Sequence, residues 1–357
     1  MKRYSLLILT LLMLAPLLPF AEPTNELKEI DEPRFSNALG SIILSDNAWA
    51  DAISSGWRHT CAILDNGAVS CWGSGSGGKL GNGGTFDTLT PTPTSSLVAG
   101  RTAVAISAGT QHTCAILDNG AISCWGSGGY GQLGDGTSTD RNTPTLTSSL
   151  GTNRTAVAIS ASGEHTCALL DNGAVSCWGR NDFGQLGNGV TAHKNTPTLT
   201  SSLGTGRTAV AISSGGSHTC AILDNGAVSC WGQNNRGQLG NGGNSDKNSP
   251  TLTSSLGTNR TAVAISLGTW HTCVILDNGA VSCWGLGDSG QLGNGGTASS
   301  QTIPAQTSSL GIGRTAVAIS ASGEHTCAIL DNGSVSCWGY DNSGQLGSGG
   351  SYQQNSP

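Results

Sequence analysis

An all-β fold of repeated blades, a β-propeller, is the class this sequence predicts, and three observations predict it. The stretch His112-Thr113-Cys114-Ala115-Ile116-Leu117-Asp118-Asn119-Gly120-Ala121-Ile122-Ser123-Cys124-Trp125-Gly126 is said six times with small changes. Its first cysteine falls at Cys61, Cys114, Cys167, Cys220, Cys273 and Cys327, a period of 53 residues four times and then 54. Glycine supplies 54 of 357 residues while charged residues are only 11%, and no apolar stripe of helical period appears, so turns are abundant and helices are not. A unit of this length cannot bury both of its faces alone and must stack on its neighbours.

The chain begins with Lys2 and Arg3, an apolar run from Leu6 to Leu18 and the exit Pro19-Phe20-Ala21, so residues 1–21 read as a secretory signal peptide. That run is too short to span a bilayer and no second one follows, so the mature chain is expected to be exported, with no membrane insertion after signal removal. Residues 22–37 hold Glu22, Glu26, Glu29, Asp31 and Glu32 with Pro23 and Pro33, and read as an acidic polar linker. Residues 38–357 are then one domain of six repeats. With a formal net charge of −6 and no basic stripe, the chain is a poor partner for nucleic acid.

Within each repeat the first strand resembles Thr155-Ala156-Val157-Ala158-Ile159-Ser160, and Ala161-Ser162-Gly163-Glu164 turns the chain into His165. The repeated stretch is a β-hairpin, because β-branched runs flank Asp-Asn-Gly, whose Asn tolerates and whose Gly prefers left-handed backbone. If Asp65-Asn66-Gly67 form the loop, Leu64 faces Ala68, Ile63 faces Val69, Ala62 faces Ser70 and Cys61 faces Cys71. Cα atoms of such a pair lie about 4.5 Å apart, within disulfide range. In an exported chain the expectation is six local disulfides: Cys61–Cys71, Cys114–Cys124, Cys167–Cys177, Cys220–Cys230, Cys273–Cys283 and Cys327–Cys337.

Two metal or catalytic readings compete with that one. His59 stands two residues before Cys61 and could join a zinc cluster, but no fourth ligand recurs. Six copies of a Cys-His dyad would be odd in an enzyme, and a disulfide removes the thiolate. Turn formation explains the Asp-Asn-Gly tripeptides without calcium. Neither a metal nor a cofactor is expected, and the histidine is expected to be structural.

After Trp178-Gly179 come the loop Arg180-Asn181-Asp182-Phe183, the tetrapeptide Gly184-Gln185-Leu186-Gly187, and Asn195-Thr196-Pro197-Thr198-Leu199-Thr200 as a fourth, outer strand with Pro197 near its start. Four short strands per repeat, arrayed radially, make a propeller blade.

Ala-Val-Ala-Ile-Ser, His-Thr, Asn-Gly, Val-x-x-Trp-Gly and Gly-Gln-Leu-Gly together resemble the repeat of the regulator of chromosome condensation family, over about residues 50–350. The first copy departs with Lys79-Leu80-Gly81. The resemblance implies a propeller, usually of seven blades, so the six copies predict either a six-bladed ring or an incomplete seven-bladed one. The resemblance also implies either guanine nucleotide exchange, as in the nuclear founder, or protein binding through loops at one end, as in secreted relatives. An exported acidic chain fits the second. A sialidase-like hydrolase is the enzyme alternative, but the Asp-to-Trp spacing is seven residues rather than five and no single acid/base constellation stands apart from the repeats.

Comparison among the six copies locates a binding surface. The hairpin barely changes, while variation gathers before each His and after each Trp-Gly, and antiparallel geometry places both at the end opposite the Asp-Asn-Gly turn. The expected partner-binding rim comprises Trp57, Arg58, Gln111, Tyr130, Glu164, Arg180, Phe183, Asn234, Arg236, Trp270, Glu324 and Tyr340, a mixture of aromatic and arginine side chains of the kind found at binding hot spots. The expected function is non-enzymatic: a secreted monomer that recognises an extracellular protein, or alternatively a glycan. Sequons stand at Asn153, Asn259 and Asn332. The sixth repeat stops at Asn355-Ser356-Pro357, short of its last strand, and Gly40-Ser41-Ile42-Ile43-Leu44-Ser45 is expected to pair with that blade.

Overall fold

Six antiparallel sheets, one per repeat, follow one another in chain order in the structure, a computed structural model that describes residues 52–98 and 100–357. The expected signal peptide, the expected linker and Gly40–Ser45 lie outside the described residues. Blade one runs Ala52–Ser55, His59–Ile63, Val69–Gly73 and Thr88–Pro93; blade two runs Ala103–Ala108, His112–Leu117, Ile122–Gly126 and Arg141–Leu146. Blade three has Ala156–Ala161, His165–Leu170, Val175–Gly179 and Lys194–Leu199; blade four has Ala209–Ser214, His218–Leu223, Val228–Gly232 and Lys247–Leu252. Blade five is Ala262–Leu267, His271–Leu276, Val281–Gly285 and Gln301–Gln306. Blade six holds three strands, Ala316–Ala321, His325–Leu330 and Val335–Gly339, and a single bridge from Gly339 to Gln354 begins its fourth position.

The hairpin register follows from the turn. Leu64 donates its N–H to Ala68 O at 2.8 Å, Gly67 takes φ 73°, and Cys61 faces Cys71. The same register recurs in all six blades, so every cysteine is paired within its own hairpin, with Cα atoms 4.0–4.2 Å apart. These bonds occupy the sulfurs that a zinc cluster would have needed.

What joins one blade to the next is a repeated polar relay inside an apolar seam. Between blades three and four, His165 Nε2–H donates to Thr219 Oγ1 at 2.9 Å, and Thr219 Oγ1–H donates to the carbonyl of Gln185, also at 2.9 Å. Trp231 Nε1–H reaches that same carbonyl at 3.0 Å, and its ring lies against Gly187, where a Cβ would sit 2.7 Å from Nε1. The carbonyl therefore accepts two bonds, the threonine is both donor and acceptor, and the imidazole is fixed as the Nε2–H tautomer, its Nδ1 without a partner. Equivalent histidine–threonine bonds of 2.8–2.9 Å join His59 to Thr113, His112 to Thr166, His218 to Thr272 and His271 to Thr326. Nearer the axis, the Ser107 hydroxyl accepts the N–H of Ala161 at 2.9 Å, and the serine of each earlier blade does the same for the next.

Burial of this seam sets the charge state of its histidines. Burial, with the neighbouring imidazoles adding to it, pushes His112 and His218 down to about 3; burial and His325 do the same for His271. Burial holds His165 at about 4, and burial with the nearby Lys79 holds His59 at about 4. All five are neutral in the folded chain, as the relay requires.

The pattern stops at the two ends of the series. Trp125, Trp178, Trp231, Trp284 and Trp338 are fully buried by the preceding blade, whereas Trp72 of blade one is only half-buried. On blade six, Val335 is 65% exposed where Val228 is 1% exposed, and Gly333, Gly344 and Gly347 have no described atom near the Cβ they would carry. Their counterparts Gly120, Gly131 and Gly134 are covered by Thr155, Asn195 and Trp178 of the next blade.

Candidate functional site

The two variable segments of each repeat meet at one end of the blade because a backbone bond ties them. The carbonyl just before each His accepts the N–H that follows Trp-Gly: Arg58 from Ser74, Gln111 from Ser127, Glu164 from Arg180, Ser217 from Gln233, Trp270 from Leu286 and Glu324 from Tyr340, at 2.7–2.9 Å. The two segments expected to form the rim therefore share one end of each blade, opposite the Asp-Asn-Gly turn.

Blades two and three bring four of the expected residues together. The Arg180 guanidinium stands 5.2 Å from the Tyr130 ring centroid and 6.0 Å from that of Phe183. Its Nε bonds Asp182 and its Nη1 bonds Glu164, both at 2.6 Å. The bond to Asp182 comes first among the causes that raise the Arg180 pKa; burial opposes it and Glu164 adds to it. A planar cation held between two carboxylates and two aromatic faces is a pre-formed contact element, with little rotamer freedom left to lose on binding.

The other expected residues are more scattered. Arg58 stacks on Trp57 at 4.5 Å, and Trp57 is 63% exposed. Arg236 and Glu324 are exposed, Trp270 and Tyr340 half-buried. Gln111 is engaged across the first junction: its Oε1 accepts from Lys79 Nζ at 2.7 Å, and Ser76 Oγ accepts from the same amine at 2.9 Å. Lys79, where the other copies carry Gln, is thereby buried, and burial lowers its pKa, with Asp87 opposing and Arg58 reinforcing the shift.

Asn234 is a correction. It is fully buried, its Nδ2 bonds Asn241 Oδ1, Gly243 O and Ser245 O, and its Oδ1 accepts from Leu239 N, so no polar group is left for a partner. Asn181 does the same work in blade three and Asp341 part of it in blade six, so variation there reflects exchange of one loop pin for another.

Three residues at this end went unassigned in the sequence. Phe86 is 84% exposed on blade one. Asp182 and His193 lie beside Arg180: His193 Nε2 is 3.7 Å from Asp182 Oδ1, and the His193 ring meets Tyr130 edge-on at 5.3 Å.

The opposite face is uniform. Arg101–Asp118, Arg154–Asp171, Arg207–Asp224, Arg260–Asp277 and Arg314–Asp331 repeat one ion pair at 3.0–3.5 Å, each part-exposed and so of small individual value. These arginines are each engaged by an aspartate of their own blade rather than gathered into the cluster a sialidase-like site requires.

Comparison with known proteins places this architecture. A family model described as RCC1-like domain matches residues 27–268, and models of the regulator of chromosome condensation (RCC1) repeat match 262–291, 316–345 and 278–329. The ultraviolet-B receptor UVR8 of Arabidopsis thaliana is 33% identical over 306 residues, covering 85% of this chain and 68% of that protein. The E3 ubiquitin-protein ligase HERC2 of Homo sapiens is 32% identical over 266 residues, 74% of this chain but 5% of HERC2. Yeast RCC1 (Prp20) in its crystal structure with Kap60 superposes with a TM-score of 0.76 at 20% identity, covering 86% of this chain and 74% of that one. Human WBSCR16 does so with 0.76 at 21%, over 88% and 81%. The two structural likenesses concern the fold alone.

Proposed function

The chain belongs to the regulator of chromosome condensation (RCC1) repeat family, and from that premise we propose that it is a non-enzymatic scaffold that binds a protein through its variable rim. One observation carries the proposal. One variable arginine and two variable aromatic side chains, from blades two and three, meet at the Tyr130–Arg180–Phe183 cluster, while the turn face repeats one satisfied ion pair. A surface that differs around the ring can select a partner; a periodic, self-paired one offers little to select with. Among the relatives, yeast RCC1 is described bound to Kap60 and Prp20p is described by its binding to Gsp1p and histones. Those partners belong to those proteins, and HERC2 is a protein of which this chain spans 5%.

Export is part of the proposal. Six disulfides in one domain support an oxidising compartment over the reducing cytosol, and the partner we propose is therefore an extracellular protein; the scaffold is proposed to be a monomer until it meets that partner. The test is affinity capture from the native extracellular medium with wild-type protein and with Arg180→Ala. The reading expects a protein retained by the wild type and lost or at least tenfold depleted with the variant, at unchanged melting temperature. Equal capture by both would sink it.

A further inference from the structure

The loop that carries Arg180 is fastened differently from its counterparts. In blades one, two and four the first loop residue after Trp-Gly-x donates its N–H to an aspartate twelve residues on: Gly75 to Asp87 at 3.0 Å, Gly128 to Asp140 at 2.9 Å and Asn234 to Asp246 at 2.8 Å. In blade three Asn181 N–H donates instead to His193 Nδ1 at 3.1 Å. A carboxylate accepts at every pH above its own low pKa. An imidazole accepts through Nδ1 only while that nitrogen is unprotonated, and histidine is the side chain whose charge changes between pH 5 and 8.

We propose that His193 is a pH-sensitive latch on the Tyr130–Arg180–Phe183 surface, closed while Nδ1 accepts from Asn181 and opened when Nδ1 gains a proton. The groups facing His193 explain how the change spreads. Asp182, from the same loop, has its Oδ1 3.7 Å from Nε2 and its Oδ2 on Arg180; Glu164 holds the other side of Arg180; the Tyr130 ring of blade two meets the imidazole edge. Protonation places an N–H against the N–H of Asn181, so the latch bond is lost. The new imidazolium competes with Arg180 for Asp182, and both aromatic contacts of Arg180 depend on where that carboxylate holds it. The proton comes from solvent, to which the His193 side chain is 39% exposed.

This latch rests on the rim being the binding surface, and its test keeps the two claims apart. Exchange of the Asn181 amide, followed by NMR from pH 8 to pH 5, is referred to the amides of Gly128 and Asn234, which donate to aspartates rather than to an imidazole and report any general loosening. The wild type should lose about five- to tenfold in relative protection, the ratio that one net hydrogen bond is worth, while His193→Asp should stay within about twofold. A constant ratio in the wild type, or the same fall in His193→Asp, overturns the latch. Affinity for the captured protein at pH 7.5 and pH 5.5 forms the second arm. It should change in the wild type and not in His193→Asp; equal pH dependence in both counts against the latch. If Arg180→Ala binds like the wild type, the rim reading fails while the Asn181 result still decides the latch.

Discussion

Lowering the pH from 7 to 5 should destabilise this protein, and the inter-blade relay sets how strongly. His59, His112, His165, His218 and His271 stay neutral in the fold down to about pH 4 or 3, because each is buried and its Nε2–H serves a threonine of the next blade. In the unfolded chain each titrates near pH 6.5. A histidine whose folded pKa is depressed leaves the unfolded state holding more protons, so stability is full above about pH 6.5 and falls as pH drops toward the folded value. Integrated from pH 7 to pH 5, the loss is about 2 kcal/mol per histidine, and about 9 kcal/mol for five as an upper figure. That is comparable with the stability of an ordinary domain, about 5–15 kcal/mol, and the six disulfides add to the reserve that keeps the chain folded through this interval. His325, half-buried on the last blade, adds in the same direction. Urea melts at half-unit pH steps give the proton uptake on unfolding from the slope of stability against pH. The expected value near pH 5.5 is four to five protons, falling by one in His165→Gln, whose side chain can still reach Thr219. Stability flat between pH 7 and pH 5, or an uptake below two, would refute the claim that these imidazoles are buried and neutral.

Three further outcomes follow from the same geometry. Thr219→Val keeps the shape but strands His165 Nε2–H, so a loss of about 1–3 kcal/mol in chemical denaturation is expected, with the rim unaffected; a loss below 0.5 kcal/mol would show the relay to be incidental. Trp231→Ala should cost about 3–5 kcal/mol, whereas Trp72→Ala, at the half-buried first position, should cost less than half as much by the same melts. Each disulfide closes a separation of 10 residues, worth at most about 2.5 kcal/mol in the chain-entropy model, so non-reducing peptide mapping should find six intra-hairpin bonds and reduction should lower the denaturation midpoint in several steps.

The hairpins were fully legible because everything that fixes them is local. Asp-Asn-Gly sets the turn, the turn sets the register, and the register puts Cys61 opposite Cys71 with no reference to the rest of the chain. The meeting of the two variable segments was legible for a related reason: antiparallel pairing leaves the segments before His and after Trp-Gly only one end of the blade to share. The relay was not, since His165 meets its threonine 54 residues away and nothing in the repeat unit says which neighbour a side chain faces. Asn234 was misread because an exposed loop residue and a buried loop pin vary alike, and only the turn of its side chain inward separates them. His193 did leave a mark, standing where other copies have Asp87, Asp140 and Asp246, but a substitution gains meaning only once Asn181 is seen donating to it.

The claim that binding belongs to the rim is tested most directly by hydrogen exchange on the complex with the captured protein. Protection is expected in residues 127–131 and 162–166, in 180–185, and around Trp57 and Arg58, with the Asp-Asn-Gly turns and their arginine–aspartate pairs exchanging as in the free protein. Protection confined to residues 118–120, 171–173 and their repeats would place the partner on the opposite face and contradict the account.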